Sequence, residues 1–102
     1  MIKVIIKQEK DNIKEITIKG HALYDDFGKD IVCSAVSTLT TTTINDVLAL
    51  DSSGLKYKSR EGFIRIYNIN GNTSSKLINV MINMLSELEK DYPKNIKISK
   101  ED

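Results

Sequence analysis

Residues 20–37 read GHALYDDFGKDIVCSAVS, and two different hydrophobic periods meet inside them. Up to Ala22 the chain alternates apolar and polar residues in twos; from Asp30 onward its apolar residues recur every three or four. A period of two marks a half-buried strand and a period near 3.6 an amphipathic helix, so this stretch is a strand-to-helix junction. It also holds the only histidine and the only cysteine among 102 residues. The junction is therefore the first place to look for chemistry.

Upstream, Ile2, Val4 and Ile6 alternate with Lys3, Ile5 and Lys7, and after the turn residues Asp11 and Asn12 a second run sets Ile16 and Ile18 against Glu15, Thr17 and Lys19. That pattern predicts a hairpin. Its period carries Gly20 and Ala22 onto the isoleucine face and His21 onto the polar one. Downstream, Val32, Ala35 with Val36, Leu39, Thr43, Val47 and Leu50 form one helical stripe. Asp30 is its N-cap candidate. The four threonines at 40–43 lower helix propensity, because β-branched side chains lose rotamer freedom against the preceding turn. They read as a helix face, with hydroxyls that could alternatively lie near a bound peptide.

Asp51-Ser52-Ser53-Gly54 stops this helix, and 55–58 and 63–69 read as strands joined around Arg60-Glu61-Gly62. A second helix is predicted from 73–75, where three hydroxyls offer a cap, to about 90, with Leu77, Met81, Met84, Leu85 and Leu88 as its core stripe. Asp91-Tyr92-Pro93 ends it, and 95–99 can add a last strand. The expected fold is α+β, in the order β-β-α-β-β-α-β, a mostly antiparallel sheet packed by two long helices in a single domain over 1–102.

Composition limits the rest. Fifteen Lys and Arg oppose fourteen Asp and Glu, and the lysines are spread along the chain, so no direct nucleic-acid binding is expected. One cysteine forms no internal disulfide, and no signal-peptide core or long apolar run is present, which points to the cytoplasm and away from a membrane. One His and one Cys do not make a structural zinc site, and neither a metal nor a cofactor is expected. Glycines 28, 54, 62 and 71 read as turn residues with no phosphate-binding pattern. A chain this short builds a thin core and no deep cavity, so a site should be a surface groove or a subunit boundary, and a homodimer is expected.

A lone cysteine near a helix start is usually a small buried hydrophobe, and a lone histidine is usually structural. Their proximity changes that. With Asp30 as cap, Cys33 falls in the first helical turn, where unpaired N–H groups and the helix dipole favour a thiolate. A helix end is worth ~0.3–1 kcal/mol, less than the ~1.4 kcal/mol of one pKa unit, so a thiol needs a further partner to ionise at neutral pH. His21 is the candidate in this chain.

Gly20-His21-Ala22, then Gly28, then Asp30-Ile31-Val32-Cys33-Ser34-Ala35-Val36-Ser37 resembles the signature of the bacterial ribosomal-processing cysteine proteases, which read G-H-A, a short glycine-containing loop, and D-I-V-C before small residues and a serine. The resemblance implies a cysteine endopeptidase that removes the N-terminal extension of large-subunit ribosomal protein twenty-seven. It makes His21 and Cys33 the catalytic dyad and gives Gly20, Asp30 and Ser37 supporting places in the motif.

Asp30 has two incompatible roles open to it. As a cap it would hold a first-turn amide, and as a partner of His21 it would orient the ring and favour the imidazolium. Between strand and helix, Leu23, Tyr24 and Phe27 seek cover while Asp25 and Asp26 seek water, and Gly28 permits a backbone swing. This predicts a flap that closes over substrate. The alternatives outside protease chemistry are a thiol redox sensor and a non-catalytic module that binds a ribosomal protein.

Overall fold

The computed structural model describes residues 1–20 and 27–102, and for residues 27–30 the backbone alone. Its elements are β1 (Ile2–Glu9), β2 (Asn12–Lys19), α1 (Phe27–Leu50), β3 (Lys56–Arg60), β4 (Phe63–Tyr67), α2 (Asn72–Asp91) and β5 (Ile96–Glu101). The expected α+β order is therefore present. The strands form one sheet in the order β3-β4-β2-β1-β5, with every neighbouring pair antiparallel except β1 and β5.

The first hairpin closes through Lys10 and Asp11, both at positive φ (49° and 68°). That pair of left-handed residues matches the right-handed twist of the strands it joins. The turn is one residue earlier than expected, since Asn12 already pairs with Glu9. Beyond it the alternation reads through: Val4 lies opposite Ile18 and Ile6 opposite Ile16, and all four are buried. Ile66 of β4 and Ile96 of β5 extend this apolar face across the sheet. At the far edge Glu89 of α2 accepts a hydrogen bond from the Ile98 backbone N–H at 2.7 Å, which covers part of an otherwise open strand edge.

Both helices lie on that face. α1 buries Val32, Val36, Thr40, Thr43, Ile44 and Val47, a tighter stripe than expected, and Leu50 at its end is 68% exposed. α1 also starts at Phe27, three residues before the predicted cap. The sequence signal failed there because Gly28 and Lys29 continue no apolar period, so Asp30 was the first recognisable boundary. α2 buries Ser74, Ile78, Met81, Ile82 and Leu85, whereas Met84 faces outward at 52% exposure. Its cap is Gly71 (φ 90°) rather than a hydroxyl, and the Gly71 carbonyl accepts the Ser75 N–H at 3.0 Å. Ser74, one of the three hydroxyls, is buried beside Gly54, where an added Cβ would strike its Oγ.

The threonine run splits by helical geometry. Thr41 and Thr42 are exposed, Thr43 donates to the Leu39 carbonyl at 2.8 Å, and Thr40 is fully buried with no partner for Oγ1 among the described residues. A buried hydroxyl without a partner costs on the order of 1–3 kcal/mol. Thr40→Val, which replaces that hydroxyl with a methyl group, should therefore raise stability by about 1 kcal/mol, read as a higher urea midpoint. An unchanged or lower midpoint would show that the hydroxyl is satisfied in solution.

The opposite face of the sheet carries no helix, and none of its strand residues is buried by the described residues. By register Lys3, Ile5 and Lys7 of β1 share it with Glu15, Thr17 and Lys19 of β2. Phe63, Arg65 and Tyr67 of β4 follow, and beyond them Lys56, Lys58 and Arg60 of β3. Lys97 of β5 completes it beside Lys3. Six of the thirteen lysines thus share one surface, a grouping that their spacing along the chain does not show.

Glu15 sits at the centre of this face, its side chain only 15% exposed, between Lys7 at 3.5 Å and the Arg65 guanidinium. The Arg65 hydrogen bond, assisted by both positive charges, holds its carboxyl below the ordinary value of 4.5 against the opposing pull of burial. Ionised Glu15 thus favours the folded state above about pH 4.5, and that contribution is lost as pH falls through the depressed folded value. Glu15→Gln should flatten the acid limb of the stability profile below pH 4.5. An acid limb identical to that of the parent would remove this pair from the account.

Candidate active site

Cys33 is half-buried and opens into a cavity of about 340 Å³. α1 supplies one wall through Cys33, Val36 and Ser37. Cys33 and Ser37 are four residues apart and so lie one above the other on the same helix face. Ile2 and Ile18 line it from the central strands, Gly20 lies at the end of β2, and the β3–β4 turn closes the other side.

Each of these parts is held for a physical reason. The Gly20 N–H donates to the Gly62 carbonyl at 3.1 Å, tying the end of β2 to that turn. Gly20 has φ 116°, a backbone state that side chains disfavour, and a Cβ there would run into the Met1 carbonyl oxygen. Glycine is thus required by both conformation and space. Across the cavity the Arg60 guanidinium stacks on the Phe63 ring, 4.3 Å from its centre, and Glu61 stands next to it. The cavity wall opposite Cys33 therefore carries one cation and one anion above an apolar floor.

The structure brings together three of the expected site residues, Gly20, Cys33 and Ser37. His21 follows Gly20 directly in the chain, and with Leu23 and Tyr24 it lies outside the described residues. Phe27 and Gly28, expected in the flap, belong to the first turn of α1 instead. Asp30 is the fourth residue of α1, which removes the helix-cap role, and its side chain lies outside the described part.

The longer helix also moves Cys33 to its seventh position. The unpaired amides of a helix are its first four, here residues 27–30, so the expectation of first-turn amides beside the thiol is corrected. Arg60, Glu61, Phe63 and Ile64 were not recognised as site residues from sequence. Only the β2–β4 pairing, with Lys19 opposite Phe63, places them there, and no local pattern signals that pairing.

The sequence profile of the family described as cysteine protease Prp matches residues 1–97. The chain belongs to that family. A ribosomal processing cysteine protease Prp from Staphylococcus aureus is 23% identical over 99 residues, with 93% of each chain covered. The fold matches that of the crystal structure of an essential ribosomal processing protease Prp from S. aureus in complex with a substrate peptide. That likeness has a TM-score of 0.91 at 22% identity over 99% of this chain and 100% of the other. The S. aureus Prp in complex with a covalently linked product peptide gives 0.89 at 24% identity, covering 99% and 100%. The single cysteine of this chain, Cys33, lies on the wall of the cavity.

Proposed function

We propose that this chain is the endopeptidase that removes the N-terminal extension of large-subunit ribosomal protein twenty-seven, with Cys33 as nucleophile and His21 as proton carrier. The observation that carries the reading is the placement of Cys33 in one cavity with Gly20, the residue immediately before His21. The apolar floor of Ile2 and Ile18 and the polar β3–β4 wall suit an extended peptide lying along the sheet end.

In the reaction, the Cys33 thiolate attacks the scissile carbonyl carbon and forms a tetrahedral oxyanion. As that intermediate collapses, the C–N bond breaks, His21 protonates the departing amine and an acyl thioester remains on sulfur. His21 then takes a proton from water, hydroxide adds to the thioester, and the thiolate leaves with the acid product released. The amides of residues 27–30 lie nearly a turn away from Cys33, so the oxyanion needs other donors. The Ser37 hydroxyl is the one this reading assigns, because it shares the helix face of Cys33. Asp30 keeps its second role, orienting His21.

The reaction requires no metal or cofactor, and the same reading puts the enzyme in the cytoplasm with its substrate. Among the described residues no helix is long and apolar enough to cross a membrane. Residues 1–102 act as one domain, and a homodimer forms by covering the outer face of α2, where Val80 (57%) and Met84 (52%) are exposed one turn apart. Sedimentation that shows only a monomer at working concentration would refute the dimer.

The deciding experiment mixes the protein with the extended ribosomal protein under reducing conditions and weighs the products by mass spectrometry. Loss of the N-terminal extension is expected. Intact substrate in a demonstrated complex would overturn the protease assignment in favour of a binding module.

A further inference from the structure

The helix-free face of the sheet carries a row of cations of which only Arg60 also lines the cavity of Cys33. Its three carboxylates along the strands are Glu9, Glu15 and Glu101. Glu15 pairs with both Lys7 and Arg65, which leaves this central cluster with an excess of one positive charge. Around it stand Lys3, Lys19, Lys56, Lys58, Arg60 and Lys97, and none of these six forms an ion pair with a described residue. A chain with a net charge of +1 therefore places eight of its fifteen cations on one surface, against three strand carboxylates. Like charges so placed repel one another, a cost that a polyanion would relieve.

We propose that this face is a docking surface for single-stranded RNA. The spacing of the cations supports it: Lys56, Lys58 and Arg60 alternate along one edge strand, so their heads recur every ~6.8 Å in a row that can track a sugar-phosphate backbone. Aromatic rings are interleaved with them. Arg60 stacks on Phe63, and Arg65 stacks on Tyr67 with its guanidinium 4.6 Å from the ring centre. Such stacked pairs present flat, positively charged planes on which nucleobases stack. A membrane surface would be met by protruding apolar side chains, whereas the apolar residues of this face, Ile5 and Phe63, are half-buried between their neighbours. The proposal does not depend on the protease reading, although the surface meets the cavity at Arg60 and Phe63, and it reverses the expectation of no direct nucleic-acid binding drawn from the linear distribution of lysines.

The test is fluorescence anisotropy with a labelled single-stranded RNA of about 12 nucleotides, titrated over a range of salt. The parent protein should bind at low salt with an affinity that falls steeply as salt rises. The triple variant Lys56→Gln, Lys58→Gln, Lys97→Gln, verified as folded by circular dichroism, should bind at least about tenfold more weakly and reduce the log–log salt slope by about 2. Tyr67→Leu, which keeps every charge, should weaken binding by about fivefold or more at all salt concentrations. Lys76→Gln with Lys90→Gln on α2 should change affinity by less than about twofold, since neither residue lies on this face. The proposal is overturned by absent binding at low salt or by an equal loss in the α2 variant. It is overturned equally if vesicles containing phosphatidylglycerol, or an oligo-glutamate peptide, bind more tightly than the RNA.

Discussion

Cys33→Ala is expected to abolish cleavage of the extended ribosomal protein, lowering kcat/KM by at least about a thousandfold, with the melting temperature nearly unchanged. The substitution removes one sulfur from a half-buried position on the cavity wall and leaves the Val32 and Val36 packing of α1 in place. His21→Ala should cost a similar factor, because without the imidazole neither the leaving amine nor the attacking water has its proton carrier. The double variant should be no worse than either single one, since the two residues act as a unit. Additive losses, or near-parental turnover by either single variant, would remove the dyad.

Gly20→Ala should damage both stability and activity. At φ 116° any side chain is strained by roughly 1–3 kcal/mol, and here the added methyl group also meets the Met1 carbonyl. That carbonyl cannot easily retreat, because Ile2 pairs with Ile96 and its N–H donates to the Asn95 carbonyl at 2.9 Å. Relief must therefore come from Gly20, whose shift would carry His21 with it and pull on the hydrogen bond to Gly62. Misplacing a catalytic group by about 1 Å can cost on the order of a hundredfold. Urea unfolding and peptide kinetics on the same variant give both readings. Parental values in both would mean that the backbone at residue 20 relaxes without consequence.

Local periodicity carried most of the fold. Alternation in β1 and β2 and the three-to-four spacing in α1 are properties of neighbouring residues, and burial of Ile6, Ile16, Val36 and Val47 follows from them directly. The errors have local causes as well. Gly71 caps α2 by its backbone alone, so three hydroxyls next to it misled. Met84 belongs to an apolar sequence stripe but falls just outside the arc that meets the sheet.

The site was legible only on one side. Cys33, Ser37 and Gly20 sit on motif residues, but Arg60, Glu61 and Phe63 reach the cavity through strand pairing across more than forty residues of chain. The gathering of cations has the same origin, because it depends on strand order in the sheet. Spacing along the chain cannot reveal that order.

The parallel pairing of β1 with β5 also has a temporal consequence. Ile2 through Lys7 are synthesised well before their partners, Ile96 through Glu101. Until then one edge of β1 is bare, and Ile2, which lines the cavity of Cys33, lacks the neighbour that holds it. Contacts between such distant parts of a chain form slowly. A nascent chain that has not yet released residues 96–101 from the ribosome thus lacks the strand that supports one lining residue of the cleft, and the cleft is finished only after that strand has docked.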